Sequence, residues 1–134
     1  MSGAKGRVRG MLFAATSFMS DDLRDLQRDY LTDLQQVIDR MREYGRGLRD
    51  QQRFAASFPE LLFLAHQLKG SGGSLGFPAI TSVARRISDQ LNLFLDEQQA
   101  ERPTPEDLSK TLLALSGELE REVATARQTL SVAE

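Results

Sequence analysis

Apolar residues recur along this chain at the three- and four-residue steps of an amphipathic helix, and nowhere with the alternation of a strand. Leu23, Leu26, Tyr30, Leu34, Val37, Met41 and Tyr44 form one such stripe, widened by Leu31 and Ile38. Ser20, Asp21 and Asp22 put a cap and negative charge where a helix N-terminus favours both. Gly45 and Gly47 read as its stop, so a first helix is predicted over 21–44, preceded by a short helical turn over 11–18. Residues 45–57 read as an irregular connection with helical tendency from Asp50. Ser57, Pro59 and Glu60 then resemble a capping box with proline in the first turn, opening a second helix that runs to about Leu75. Gly76 closes it, and Phe77 before Pro78 is pushed away from helical geometry. A third helix follows, with Ile80, Val83, Ala84, Ile87, Leu91 and Phe94 on one face. A fourth opens at Thr104-Pro105-Glu106-Asp107 and carries Leu108, Leu112, Leu115, Leu119 and, more weakly, Val123, Ala126 and Leu130.

Four amphipathic helices with short connections predict an all-α fold, an antiparallel up-down four-helix bundle over 20–131 behind a lead-in of residues 1–19. The length of 134 residues holds one domain. With no cysteine and a single histidine, His66, the chain offers no thiolate chemistry and no Cys- or His-rich metal site, and no metal is expected. A net charge of −2 argues against a nucleic-acid partner. No apolar run reaches the ~20 residues of a membrane span. Lys5, Arg7 and Arg9 precede Met11-Leu12-Phe13-Ala14-Ala15, but Thr16 and Ser17 end that run short of a signal-peptide core. No membrane association and a cytoplasmic location are therefore expected.

One stretch departs from scaffold chemistry: His66-Gln67-Leu68-Lys69-Gly70-Ser71-Gly72-Gly73-Ser74-Leu75-Gly76. At about 100° per residue, Leu61, Leu64, Ala65, Leu68, Gly72 and Leu75 share the core side, and His66 lies about 140° from Leu61. Gly73 and Leu62 flank the histidine within roughly 40° on one side and Gly70 on the other, with Lys69 about 60° away. Ser71 and Gln67 point elsewhere. Each helical glycine costs about 1 kcal/mol relative to alanine. Close helix packing accounts for Gly72, whereas Gly70 and Gly73 share the histidine's side, where their use is to leave the imidazole open to a partner. A neutral imidazole is a nucleophile, and an ammonium one turn away suits a phosphoryl group.

The sequence His66-x-Leu68-Lys69-Gly70-Ser71-x-x-x-Leu75-Gly76 resembles the signature of the histidine-containing phosphotransfer (Hpt) domain family of two-component phosphorelays. The resemblance implies that His66 accepts a phosphoryl group, on Nε2, from the aspartate of one response-regulator receiver domain and passes it to another. It also implies that Lys69 steadies the phosphoryl group and that Gly70 leaves room for the receiver. No cofactor belongs to the chain itself; Mg²⁺ is held by the receiver. Receiver domains and a hybrid histidine kinase are the implied partners of a monomeric carrier that has no ATP site. Phosphotransfer domains of chemotaxis kinases place a glutamate one helix later, where this chain has Ser88 beside Asp89, which favours a shuttle between receivers. Leu62 and Phe63 are read either as packing or as a docking patch, and Arg85 and Arg86 either as solvated or as contacts to an acidic receiver. The alternatives to a carrier are an unphosphorylated helical adaptor and a kinase dimerisation segment. The latter normally shows an H-E-x-x-x-P-like pattern, which is missing here.

Overall fold

A computed structural model describes residues 20–132. These form four helices in chain order, α1 (Ser20–Gly47), α2 (Gln51–Ser74), α3 (Pro78–Leu95) and α4 (Pro105–Val132). The expected 11–18 turn, the lead-in and the capping side chain of Ser20 lie outside the described residues and side chains. α1 packs on α2 and α4, and α3 packs on the same two helices. Every neighbouring pair is antiparallel. Tyr30 meets Ser71, Phe58 meets Phe94, Arg86 meets Glu118, and Gly45 meets Ser109. The expected up-down four-helix bundle is the architecture, and no strand occurs among the described residues.

The core follows the apolar stripes, with one shift. On α1 the buried line is Leu31, Leu34, Ile38 and Met41, while Tyr30, Val37 and Tyr44 are only partly buried along the flank toward α2. Leu23, expected within the stripe, is 47% exposed. It lies one turn beyond Gln27, which already meets the last residues of α2, so no neighbouring turn of α2 covers it. The predicted faces of α3 and α4 bury as expected, through Ile80, Val83, Ala84, Ile87 and Leu91 and through Leu108, Leu112, Leu115, Leu119 and Val123.

The first connection differs most from expectation. α1 does not stop at Tyr44, and the irregular stretch shrinks from 45–57 to 48–50. Gly45 and Gly47 serve close approach inside the helix. A Cβ on Gly45 would stand 3.3 Å from Leu113 Cδ2, and its carbonyl accepts a 2.7 Å bond from the buried Ser109 hydroxyl. A Cβ on Gly47 would collide with Ser57 Oγ. α2 opens at Gln51, capped by the Asp50 carboxylate accepting from the Gln52 N–H at 2.8 Å. Ser57 is therefore no cap: it is a buried residue in mid-helix. Pro59 also lies inside α2. The bond it cannot donate would have gone to the Ala55 carbonyl, and both residues are exposed, so the missing bond falls on the solvent side of the helix.

The later boundaries fall where the sequence puts them. Leu75 ends α2, Gly76 adopts φ 86°, and the Phe77 and Gly76 N–H groups donate to the Gly72 and Gly73 carbonyls at 2.8 and 3.3 Å. This paired bonding satisfies the last carbonyls of α2 through a left-handed residue, which glycine adopts without a Cβ clash. Thr104 caps α4 through Oγ1 to the Asp107 N–H at 3.0 Å. At the opposite end of the bundle Phe54, Phe58 and Phe94 cluster with centroids 5.3–5.5 Å apart, and the Arg102 guanidinium lies 4.6 Å over the Phe94 ring.

Candidate functional site

The second half of α2 is held by its inner face and by α1. Leu61, Leu64, Ala65, Leu68 and Gly72 are buried. On the α1 flank, Tyr30 and the Ser71 hydroxyl lie 2.8 Å apart while Ser71 donates to the Gln67 carbonyl at 2.9 Å. The Tyr30 ring stacks on Phe77 at 5.8 Å, and burial raises the pKa of its phenol, which keeps it a neutral donor to Ser71. Gln27 Nε2 donates to the Leu75 carbonyl at 2.8 Å. These links from α1 bridge 41 and 48 residues of sequence, so nothing local announces them. They place Ser71 and Gln67 against α1, away from the histidine.

The α3 flank is set by a close approach. A Cβ on Gly72 would lie 2.7 Å from Thr81 Oγ1, 3.3 Å from the Thr81 nitrogen and 3.4 Å from Ile80 Cγ2. A side chain at this crossing would force its neighbours to shift, and the Thr81 hydroxyl is buried with no hydrogen-bond partner among the described residues.

Between these flanks the outer face of α2 carries His66. The imidazole is exposed, and Lys69, one turn on, is half-buried. Neither makes a hydrogen bond or ion pair among the described residues. Among the described residues, a Cβ on Gly70 would find nothing within 4 Å, and one on Gly73 would make only an ordinary 3.6 Å contact with Thr81 Oγ1. Both glycines are therefore dispensable for packing, unlike Gly72. Phe63, one turn before the histidine, is 57% exposed. Its neighbour Leu62 is half-buried and packs against the core.

A nucleophile, a cation one turn away and an exposed backbone strip thus share one helix face. A family model described as Hpt domain matches residues 19–129. The chain belongs to the Hpt domain family. Hpt domains are phosphocarriers that transfer phosphoryl groups through histidine in two-component relays and interact with receiver domains and kinases. No curated protein and no solved structure matches the chain significantly. No helix among the described residues is long and apolar enough to cross a membrane.

The remaining expected residues of this Hpt domain sit on α3. Arg85 and Arg86 are both exposed, but they do not act as a pair. Arg86 grips Glu118 of α4 through two bonds of 2.8 and 3.1 Å. This bidentate contact raises the arginine's pKa and lowers that of the carboxyl. Ser88 is buried and Asp89 exposed. Ser88 makes no hydrogen bond to His66.

Proposed function

We propose that this Hpt domain shuttles a phosphoryl group between receiver-domain aspartates through phosphohistidine at His66. The observation that carries the reading is the exposed imidazole, unpartnered among the described residues, beside Gly70, where a Cβ would meet none of them, with Lys69 one turn away. The unprotonated ring nitrogen attacks the phosphorus of a receiver's aspartyl phosphate. The N–P bond forms as the P–O bond to the carboxyl breaks, and the carboxylate leaves with the bonding electrons. Passing the group to a second receiver is the reverse reaction. Nε2, the nitrogen farther from the backbone, suits attack on a group carried by another protein. Lys69 supplies positive charge to the transferring phosphoryl oxygens, and Gly70 and Gly73 let the receiver's backbone approach. Phe63 provides an apolar contact next to the reacting group, with Leu62 supporting it from the core side.

One cation is a small share of the charge stabilisation that phosphoryl transfer needs, so the rest comes from the receiver and its Mg²⁺. The chain works as a carrier and not as a kinase, as a single-bundle monomer in the cytoplasm, fed by a hybrid histidine kinase. The test is incubation with a radiolabelled phospho-receiver. Wild type gains acid-labile, base-stable phosphate, and His66→Gln gains none while melting at the wild-type temperature, since the side chain is exposed. Wild type that takes no label from any receiver of the source cell refutes the reading, and label on His66→Gln refutes the site.

A further inference from the structure

Arg85 and Arg86 are adjacent in sequence but about 100° apart around α3, so they face different neighbours. Arg86 turns toward α4 and is held there by Glu118. Arg85 is exposed and makes no hydrogen bond or ion pair among the described residues. Its place follows from Thr81, one turn earlier on the same flank, which packs against Gly72 and Gly73 of α2. The two helices are antiparallel, with Phe58 meeting Phe94 at the far end, so each turn forward in α3 is a turn back in α2. Arg85 therefore stands level with Leu68 and Lys69, on the α3 side of the face that carries His66. The histidine is thus flanked asymmetrically. Toward α1 lie Phe63 and the open Gly70, and toward α3 lie Lys69 and then Arg85.

We propose that Arg85, and not Arg86, docks the receiver and helps select it, by engaging a carboxylate on the rim of the receiver's phosphorylation site. This rests on the phosphotransfer reading given above. A receiver that holds Mg²⁺ beside an aspartyl phosphate must supply hard oxygen ligands, so its rim is acidic. Lys69, close to the nucleophile, is a point charge suited to the phosphoryl oxygens. Arg85, one helix away, presents the planar fork that matches a carboxylate. The acid nearest to it on its own helix, Asp89, is exposed, forms no ion pair with it, and disfavours receivers with acidic groups at that end of the face. The position of Arg85 relative to Asp89 therefore sets which receiver rims fit. Arg86, already bonded to Glu118, has no free fork to offer.

The test compares the full chain with Arg85→Gln and Arg86→Gln. One donor is a receiver domain, selected by phosphotransfer profiling and phosphorylated with acetyl phosphate. The other is phosphoramidate, a small molecule that phosphorylates imidazole by losing ammonia and has no protein surface to dock. Arg85→Gln is expected to raise KM for the phospho-receiver about fivefold at low ionic strength, leave kcat unchanged and flatten the salt dependence. Its labelling by phosphoramidate and its melting temperature stay at wild-type values. Arg86→Gln transfers like wild type. Equal KM for Arg85→Gln and wild type overturns the inference while leaving the phosphotransfer function standing. An equal KM increase in Arg86→Gln also overturns it, because net charge then matters and position does not. Slowed phosphoramidate labelling of Arg85→Gln overturns docking in favour of an effect on the imidazole itself. Wild type that accepts phosphate from phosphoramidate but from no receiver sinks both readings.

Discussion

Replacing Gly70 and Gly72 separately with alanine sends two neighbouring helical glycines in opposite directions. Alanine in a helix interior is favoured over glycine by about 1 kcal/mol. At Gly70 the added Cβ meets nothing within 4 Å, so the whole gain is realised, and the melting temperature rises by roughly 3–5 °C. At Gly72 the same intrinsic gain is set against a Cβ 2.7 Å from Thr81 Oγ1 and 3.3 Å from the Thr81 backbone nitrogen. Thr81 is β-branched, so its hydroxyl has little rotamer freedom, and the backbone atom yields only if α3 shifts. Overpacking of this kind costs about 1–3 kcal/mol, leaving Gly72→Ala less stable than wild type by up to ~2 kcal/mol. The two variants should differ by about 2 kcal/mol in urea unfolding followed by circular dichroism, at equal m-value. A Gly72→Ala protein as stable as Gly70→Ala refutes the close α2–α3 approach. The functional half runs against stability: Gly70→Ala, though more stable, should accept phosphate from a receiver roughly tenfold more slowly, because its methyl stands where the partner must approach. Unchanged transfer removes the reason for a glycine there.

Two further outcomes follow from the fold. Arg42 and Gln35 hydrogen-bond the Glu120 carboxylate across α1 and α4 at 2.8–3.2 Å and lower its pKa from 4.5 to about 2. A carboxyl depressed in the folded state stabilises fully above its unfolded pKa and ceases to do so as pH falls through the folded one. The melting-temperature advantage of wild type over Glu120→Gln should therefore be complete near pH 5, shrink between about pH 4.5 and 2, and vanish below that; an advantage that does not depend on pH contradicts the pairing. Gly76→Ala forces a Cβ into φ 86° and should cost about 1–2 kcal/mol in the same urea assay, with Gly76→Asn costing less. An alanine that costs nothing refutes the left-handed closure of α2.

The stop and start around Gly76, Pro78, Thr104 and Pro105 were legible because each rests on local backbone chemistry: a left-handed residue, a missing donor, a hydroxyl reaching its own helix. The same local rules misplaced the first connection. Gly45 and Gly47 look like a stop, and Ser57 with Pro59 looks like a start, yet both glycines admit neighbouring side chains and the serine packs beneath one of them. A glycine that ends a helix and one that lets another element approach are the same letter, and only the neighbour distinguishes them.

The site divides along the same line. Periodicity alone turns His66 outward, because residues i, i+3, i+4 and i+7 must share the core and a histidine about 140° away from them cannot. Its lysine and its bare strip follow from the same geometry. The tertiary structure decided that Tyr30 and Gln27 hold the end of α2, and that Arg86 is tied to Glu118 while Arg85 is not. Those facts depend on residues brought together from 32 to 48 positions apart. Helical periodicity repeats over a few residues and says which way a side chain points. Which helix lies in that direction, and at what level along it, is set only when the four amphipathic faces bury one another.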